Sequence, residues 1–246
     1  WQRKAKAWQS LDLTIVTPSH WLAEQARASF LFRETPIQVI PNGLDLNRFK
    51  PIEKKLAKQI IGLSTDRPLV LFGAIKATSD FRKGFHLLLP ALQKLRELGW
   101  SDQLELVIFG ASEPKEGLMV NFNIHYLGYC QDELTLTLAY AACDVMVVPS
   151  LQEAFGQTAS ESLACGTPVV AFDTTGLRDI VDSNHNGYLA KPFEVEDLAQ
   201  GISWILENRQ RYEKLSSNAR QKAVNEFGVE LQAHRYYSLF KKLIAQ

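Results

Sequence analysis

Residues 144–172 read DVMVVPSLQEAFGQTASESLACGTPVVAF. The segment opens on a short apolar run, DVMVVPS, and crosses a loop that contains Gly156. It continues through TASESLAC with the pattern of a short helix and closes on a second apolar run, PVVAF. Both runs are near-continuously apolar rather than alternating, as a strand must be when helices cover both faces of its sheet.

The same alternation extends outward in both directions. LTIVTPS leads to the helical WLAEQARASFL and then to IQVIPNG. PLVLFGAI precedes GFHLLLPALQKLRELG, where apolar residues recur at three and four. LELVIFG and IHYLGYC come next, followed by the helical DELTLTLAYAAC, and from VEDLAQGISWILENRQRYEKL onward the chain reads as successive helices. The pattern predicts an α/β fold, a doubly wound parallel sheet with helices on both faces. Strand-to-helix junctions at Gly73, Gly110, Gly128 and Pro149–Ser150 crowd the carboxyl edge, where such sheets bind ligands.

VIPNGLDLNRFKP (39–51) breaks the rhythm with Pro41, Asn42–Gly43 and Pro51, and reads as a connector. Two units are expected: residues 1–48, the last strand-helix-strand of a preceding domain with its connector, and residues 49–246, a ligand-binding domain. The start, without methionine inside a helix-like pattern, points to a fragment. No internal repeat or low-complexity segment is visible.

The 246 residues are 46% hydrophobic and 22% charged, an ordinary globular composition. Lys+Arg and Asp+Glu both number 27, so no field of one sign points to DNA, RNA or an anionic membrane. Cys130, Cys143 and Cys165 lack C-x-x-C spacing and sit among apolar residues, which favours buried free thiols in a reducing compartment. No apolar run approaches the ~20 residues of a spanning helix. WQRKAKAWQS is basic and amphipathic but is no signal peptide, and a solvated helix face explains it better than membrane contact. The phosphate cradles G-x-G-x-x-G and G-x-x-x-x-G-K-[ST] are missing, which argues against a dinucleotide dehydrogenase and a P-loop NTPase. H-E-x-x-H is missing too, and the five histidines are scattered, so no metal site is expected.

Two carboxylates, Glu153 and Glu161, bracket Gly156. Thr158 and Glu161 match the S/T-x-x-E capping box, and a helix cap alone would leave Glu153 as an exposed loop residue. Three features favour a ligand instead. Gly156 permits close backbone approach. The N–H groups of Gln157, Thr158 and Ala159 would point outward from a helix N-terminus, which suits an anion. Glu153 could accept from hydroxyl groups at the same mouth. A ligand with both phosphates and hydroxyls, such as a sugar nucleotide, fits that combination.

EAFGQTASESLACGTPVVA resembles the E-x7-E region of retaining glycosyltransferases of the GT-B fold, most closely glycosyltransferase family 4, which typically runs E-x-F-G-x-x-x-x-E-x-x-A-x-G-x-P-V-V. VIPNGLDLNRFKP resembles that family's interdomain connector, YAACDVMVVPS its strand before the motif, KGFHLLLPAL its phosphate-side loop and helix, and GLRDIVDSNHNGYLAKP the segment after the motif. The resemblance covers essentially the whole chain and makes it the Rossmann-like C-terminal half of a GT-B fold.

The resemblance implies a role for each matched residue. Glu161 would hold the ribose hydroxyls and Glu153 the hydroxyls of the donor sugar. Phe155, Gly156, Gln157 and Thr158 would offer backbone amides to sugar and diphosphate. Lys83, in FRKGF, would neutralise the diphosphate with Arg82 as the weaker candidate, and Glu153 and Lys83 form the candidate catalytic pair. Gly73 would lie beside the diphosphate, while Tyr129, Cys130 and Leu134 would lie against the base. The family usually has Gly-Arg where this chain has Gly73–Ala74, so that cation is missing; either Lys76 or Arg82 would replace it, or the grip on the diphosphate would be weaker. GLRDI stands where the family more often has Gly-Gly and Pro-Glu, which would make Asp179 the stand-in for that glutamate.

The implied function is transfer of a sugar from a nucleoside diphosphate sugar, a UDP-sugar first, to a glycan or lipid-linked acceptor with retention. It needs no metal or other cofactor, since Lys83 and the helix amides would carry the charge of the leaving diphosphate. The acceptor would be held by an N-terminal domain almost wholly outside this chain. The implied location is the cytoplasm, with peripheral contact of the parent protein to the inner membrane surface left open. A non-catalytic nucleotide-sugar-binding module and a GT-B sugar-nucleotide epimerase or phosphorylase are the competing readings.

Overall fold

The computed structural model describes residues 1–8, 10–63, 66–113 and 122–245. It begins with α1 (Gln2–Trp8), β1 (Ile15–Thr17), α2 (His20–Ala28), β2 (Ile37–Val39) and α3 (Lys54–Ile60). The middle of the chain forms β3 (Leu69–Gly73), α4 (Phe85–Glu97), β4 (Glu105–Phe109), β5 (Asn123–Gly128), α5 (Glu133–Ala142), β6 (Val145–Val148), α6 (Gln157–Ala164), β7 (Val169–Phe172) and β8 (Gly187–Ala190). Three helices close it: α7 (Val195–Leu206), α8 (Arg209–Glu226) and α9 (Val229–Ile244).

Six strands pair in the order β5-β4-β3-β6-β7-β8, every pair parallel. Counted from β3 this is the doubly wound order 3-2-1-4-5-6, so the winding reverses between β3 and β6 and opens a crevice beyond their carboxyl ends. The apolar runs follow from burial on both faces. Along β3, Leu69 and Leu71 enter one core layer, together with Met146, Val148 and Leu163. Val70 and Phe72 enter the other, with Val145, Val147, Leu88 and Leu92. Each such side chain contributes roughly 1.5–3 kcal/mol by leaving water, and the period-two strand shares them between the layers. In α4, Leu88, Ala91, Leu92 and Leu95 are the buried stripe, at helical spacing.

Residues 15–39 form a separate two-stranded parallel sheet, β1 with β2, in the register Ile15↔Ile37 to Thr17↔Val39. Arg220 on α8 ties the connector down: its guanidinium donates to the carbonyls of Leu46 (3.2 Å) and Phe49 (2.8 Å), and to Ala164 of α6 (2.8 Å). Leu44 N–H donates to the Phe227 carbonyl at 2.7 Å, which joins the connector to the start of α9. Cys143 and Cys165 are buried and Cys130 is half-buried; all three are free thiols. Among the described residues no helix is long and apolar enough to cross a membrane.

Candidate functional site

The loops after β3 and β6 meet at the point where the winding reverses. Gly84 makes the approach possible: its φ is +72°, and a Cβ there would lie 1.8 Å from the Pro149 carbonyl oxygen. Leu151 N–H donates to the Arg82 carbonyl at 2.8 Å across the same contact. Just before Gly84, residues Phe81–Lys83 form one 3-10 turn, capped by Asp80, whose side chain accepts from Arg82 N–H.

This contact brings Lys83 and Glu153, 70 positions apart, into an ion pair, with Lys83 Nζ donating to Glu153 Oε1 at 2.7 Å. Both side chains are largely shielded, 25% and 16% exposed, so the attraction is screened less than at an open surface. Ser150 Oγ also donates to Glu153 Oε1, at 2.9 Å. The Glu153 N–H donates to Thr175 Oγ1 at 3.1 Å, which fixes the backbone beneath the carboxylate.

The helix after this loop is α6, and Gly156 is its N-cap with φ +112°. The capping box that Thr158 and Glu161 match in spacing does not form. The helix begins at Gln157, so Thr158 already lies inside it, and the Gly156 cap makes no side-chain bond. Ala159 N–H is also not outward-facing as expected, because it donates to the Gly156 carbonyl at 3.0 Å. Among the described residues, the N–H groups of Gln157 and Thr158 find no acceptor, as the first amides of a helix do without a cap.

Glu161, freed from capping, turns towards α5. Its Oε2 accepts from the Tyr140 hydroxyl at 2.8 Å. Burial pushes the Glu161 carboxyl above the usual glutamate range, while the bonds from Tyr140 and the Gln157 side chain pull the other way.

The remaining expected residues fall into two groups. Phe155 is 3% exposed and packs edge-on against Phe227, so only its backbone can serve a ligand. Gly73 is buried at the end of β3, where a Cβ would meet the Phe109 ring at 2.3 Å; the missing side chain there makes room for Phe109. Tyr129 and Leu134 are exposed beside half-buried Cys130, at the end of β5 and the start of α5. Arg82 is turned to Asp80, with Nη2 to Oδ2 at 2.7 Å and Nε to Oδ1 at 3.1 Å, and this bonding holds the Asp80 carboxyl down to about 2. Lys76 sits in the same loop with φ +58° and, among the described residues, has no acceptor for its ammonium.

Four contributors were not expected from the sequence: Ser150, Thr175, Tyr140 and the start of α2. Ser19 Oγ donates to the Ala154 carbonyl at 2.6 Å, and Asp179 accepts from His20 N–H at 2.7 Å. The start of α2 is thereby tied to the loop that carries Glu153 and to Asp179. Only the proximity of Ser150 to Glu153 in sequence signalled any of these.

A cavity of about 780 Å³ lies at the opposite edge of the sheet, lined by Lys54, Arg67, Asp144 and Tyr212 among others. Lys54 is paired there with Asp144 and takes Tyr212 as a further partner at 2.7 Å, so its charge is already used between α3, α8 and the sheet.

A doubly wound parallel sheet with a cation, a carboxylate and two unpaired helix amides at its winding reversal is a Rossmann-like domain. The chain belongs to the family of glycosyl transferases group 1, whose pattern matches residues 53–222. An uncharacterised glycosyltransferase of Methanocaldococcus jannaschii is 28% identical over 239 residues, covering 92% of this chain and 59% of that protein. A D-inositol 3-phosphate glycosyltransferase of Geodermatophilus obscurus is 34% identical over 200 residues, covering 75% of this chain and 43% of its own. The chain thus spans about half the length of these relatives. Among solved structures, sucrose-phosphate synthase from Thermosynechococcus elongatus superposes with a TM-score of 0.81 at 28% identity, over 99% of this chain and 62% of that one. Anabaena HepE, solved in complex with UDP and glucose, gives 0.76 at 22% identity, over 96% and 65% of the two chains, a likeness of fold.

Proposed function

We propose that this chain is the donor-binding half of a retaining, metal-independent glycosyltransferase of family 4 type, with a UDP-sugar as donor. The observation that carries this reading is the Lys83–Glu153 pair set at the winding reversal beside the α6 N-terminus. A sugar nucleotide offers each group what it needs: negative charge for Lys83 and the Gln157 and Thr158 amides, hydroxyl donors for Glu153 and Glu161. UDP is the first nucleotide to test because HepE was solved with UDP and glucose.

Transfer breaks the bond between the anomeric carbon and the diphosphate oxygen, and the bonding electrons leave with the diphosphate. Lys83 and the helix amides stabilise that developing charge with groups already in place. Lys76 takes the position of the second cation, because Arg82 is held by Asp80. The acceptor hydroxyl attacks from the face the diphosphate leaves, and its proton passes to the departing phosphate. Glu153, paired with Lys83, orients the sugar and is not a nucleophile. A glycan or lipid-linked acceptor would be held by a domain preceding residue 49, of which residues 1–48 are the end.

Calorimetric titration with UDP, GDP and ADP, then with UDP-glucose and UDP-N-acetylglucosamine, tests this. Binding of UDP and tighter binding of one UDP-sugar is the expected result. Binding of none of the five ligands would overturn the donor-site reading, and selective binding of GDP or ADP would overturn the choice of base.

A further inference from the structure

We infer that Tyr140 is a positioning residue for the nucleotide: its hydroxyl holds Glu161 as an oriented carboxylate so that the other oxygen can accept from the ribose. The inference rests on the reading of Glu161 as the ribose ligand.

Tyr140 lies on the inner side of α5 and is fully buried. Its ring is fixed by an edge-on contact with Phe109, 5.8 Å between centroids. Its backbone is fixed as well, because its carbonyl accepts from Thr167 Oγ1 at 2.7 Å. A phenol locked on both sides holds its oxygen in one place, and the acceptor within reach of its proton there is Glu161 Oε2, 2.8 Å away. A buried hydroxyl needs a partner, yet any backbone carbonyl would satisfy it without drawing a carboxylate out of water. The pairing costs the fold the desolvation of Glu161, which makes sense where the carboxylate itself is needed.

The surroundings sharpen the point. Glu133 on α5 and burial both favour the neutral form of Glu161, while Tyr140 and the Gln157 side chain on α6 favour the charged form. Cys165 just after α6 and Cys130 before α5 also face Tyr140, and burial favours the neutral form of both thiols. Among these groups the Tyr140 hydroxyl is the donor whose position does not depend on a flexible side chain. Ribose hydroxyls donate to a carboxylate and gain little from a carboxylic acid, so the state of Glu161 decides the strength of the contact.

The test uses this chain with carbon-13-labelled glutamate, the Glu161 signal being the one lost in Glu161→Gln. In Tyr140→Phe the Glu161 titration midpoint moves upward. In parallel, UDP, GDP and ADP are titrated, together with the 2′,3′-dideoxy counterpart of whichever binds. Tyr140→Phe weakens the ribonucleotide about tenfold, as for a lost hydrogen bond to a charged group, and leaves the dideoxy form unchanged. Placed on Glu161→Gln, the same substitution adds no further loss. An unmoved midpoint, or equal losses for the ribo and dideoxy forms, would overturn the role of Tyr140. Binding of none of the three nucleotides by the parent would instead overturn the donor-site reading, while the titration still decides whether Tyr140 controls Glu161.

Discussion

Lys83 Nζ and Glu153 Oε1 lie 2.7 Å apart, although their residues are separated by 70 positions and sit on loops from two different strands. A donor that uses both groups enters between charges that already satisfy each other. Its diphosphate must draw on Lys83 while its sugar hydroxyls take over part of Glu153. On the proposed donor-site reading, the pair would link the phosphate and sugar ends of the ligand.

Lys83→Ala is expected to lower affinity for a nucleoside diphosphate by about 10–100-fold, the range of a charge-assisted contact, and to leave the nucleoside almost unaffected. It also strands a shielded carboxylate at Glu153, so thermal stability falls, by about 1–3 kcal/mol. Lys83→Ala/Glu153→Ala should recover part of that stability and none of the affinity. Thermal melts and calorimetry on the parent and the two variants decide it. An equal loss for nucleoside and diphosphate would remove Lys83 from the phosphate site.

Lys76 and Arg82 separate in a similar way. Because Arg82 is engaged by Asp80, Arg82→Ala is expected to change diphosphate affinity by less than threefold, and Lys76→Ala by about tenfold. Calorimetric titration of the two variants with the diphosphate gives the order directly. The reverse order would make Arg82 the second cation.

Glu161 gives a pH-dependent signature. Its carboxyl is raised by burial, so the folded state holds the proton more tightly than the unfolded chain does. Between the unfolded value, about 4.3, and the higher folded one, stability from this group falls as pH rises, and the penalty is complete above both. Glu161→Gln should therefore melt higher than the parent at pH 8, and the difference should shrink below pH ~4 as the parent's carboxyl is protonated in both states. Melting curves across that range check the sign. A variant less stable than the parent at pH 8 would contradict it.

Gly84→Ala tests the meeting of the two loops. A Cβ 1.8 Å from the Pro149 carbonyl oxygen, at a φ of +72°, must push the β3 and β6 loops apart. The expected cost is about 2–4 kcal/mol of stability, with loss of the Lys83–Glu153 pair. Denaturant melts and a crystal structure of the variant report both. A variant as stable as the parent would mean that the loops adjust freely.

Much of this was legible in the chain itself. The near-continuous apolar runs specified strands buried on both faces, and their alternation with three-and-four spacing specified a doubly wound sheet. Glu153, Gly156 and Glu161 are legible as a unit because they lie within one strand-turn-helix segment, whereas Lys83 by itself reads as a solvated lysine at a helix start and stands out only through the family resemblance. The local reading failed at Thr158. Its spacing to Glu161 satisfies a capping box, but the left-handed Gly156 starts the helix at Gln157, and Tyr140 on another helix offers Glu161 a partner. At Gly73 the missing side chain leaves room for Phe109, a residue of the neighbouring strand, and no local pattern encodes that contact.

The sequence by itself determined the strands, the helices, their parallel winding and the glycine-centred turn, because these depend on side-chain period and backbone freedom over a few residues. Tertiary structure alone decided the long-range partners: Lys83 with Glu153, Glu161 with Tyr140, Ser19 with the Ala154 carbonyl and His20 with Asp179. Those pairings depend on which loops the sheet brings together at its carboxyl edge. Strand order places residues 70 apart in sequence within a hydrogen bond of one another, and no local pattern encodes that distance.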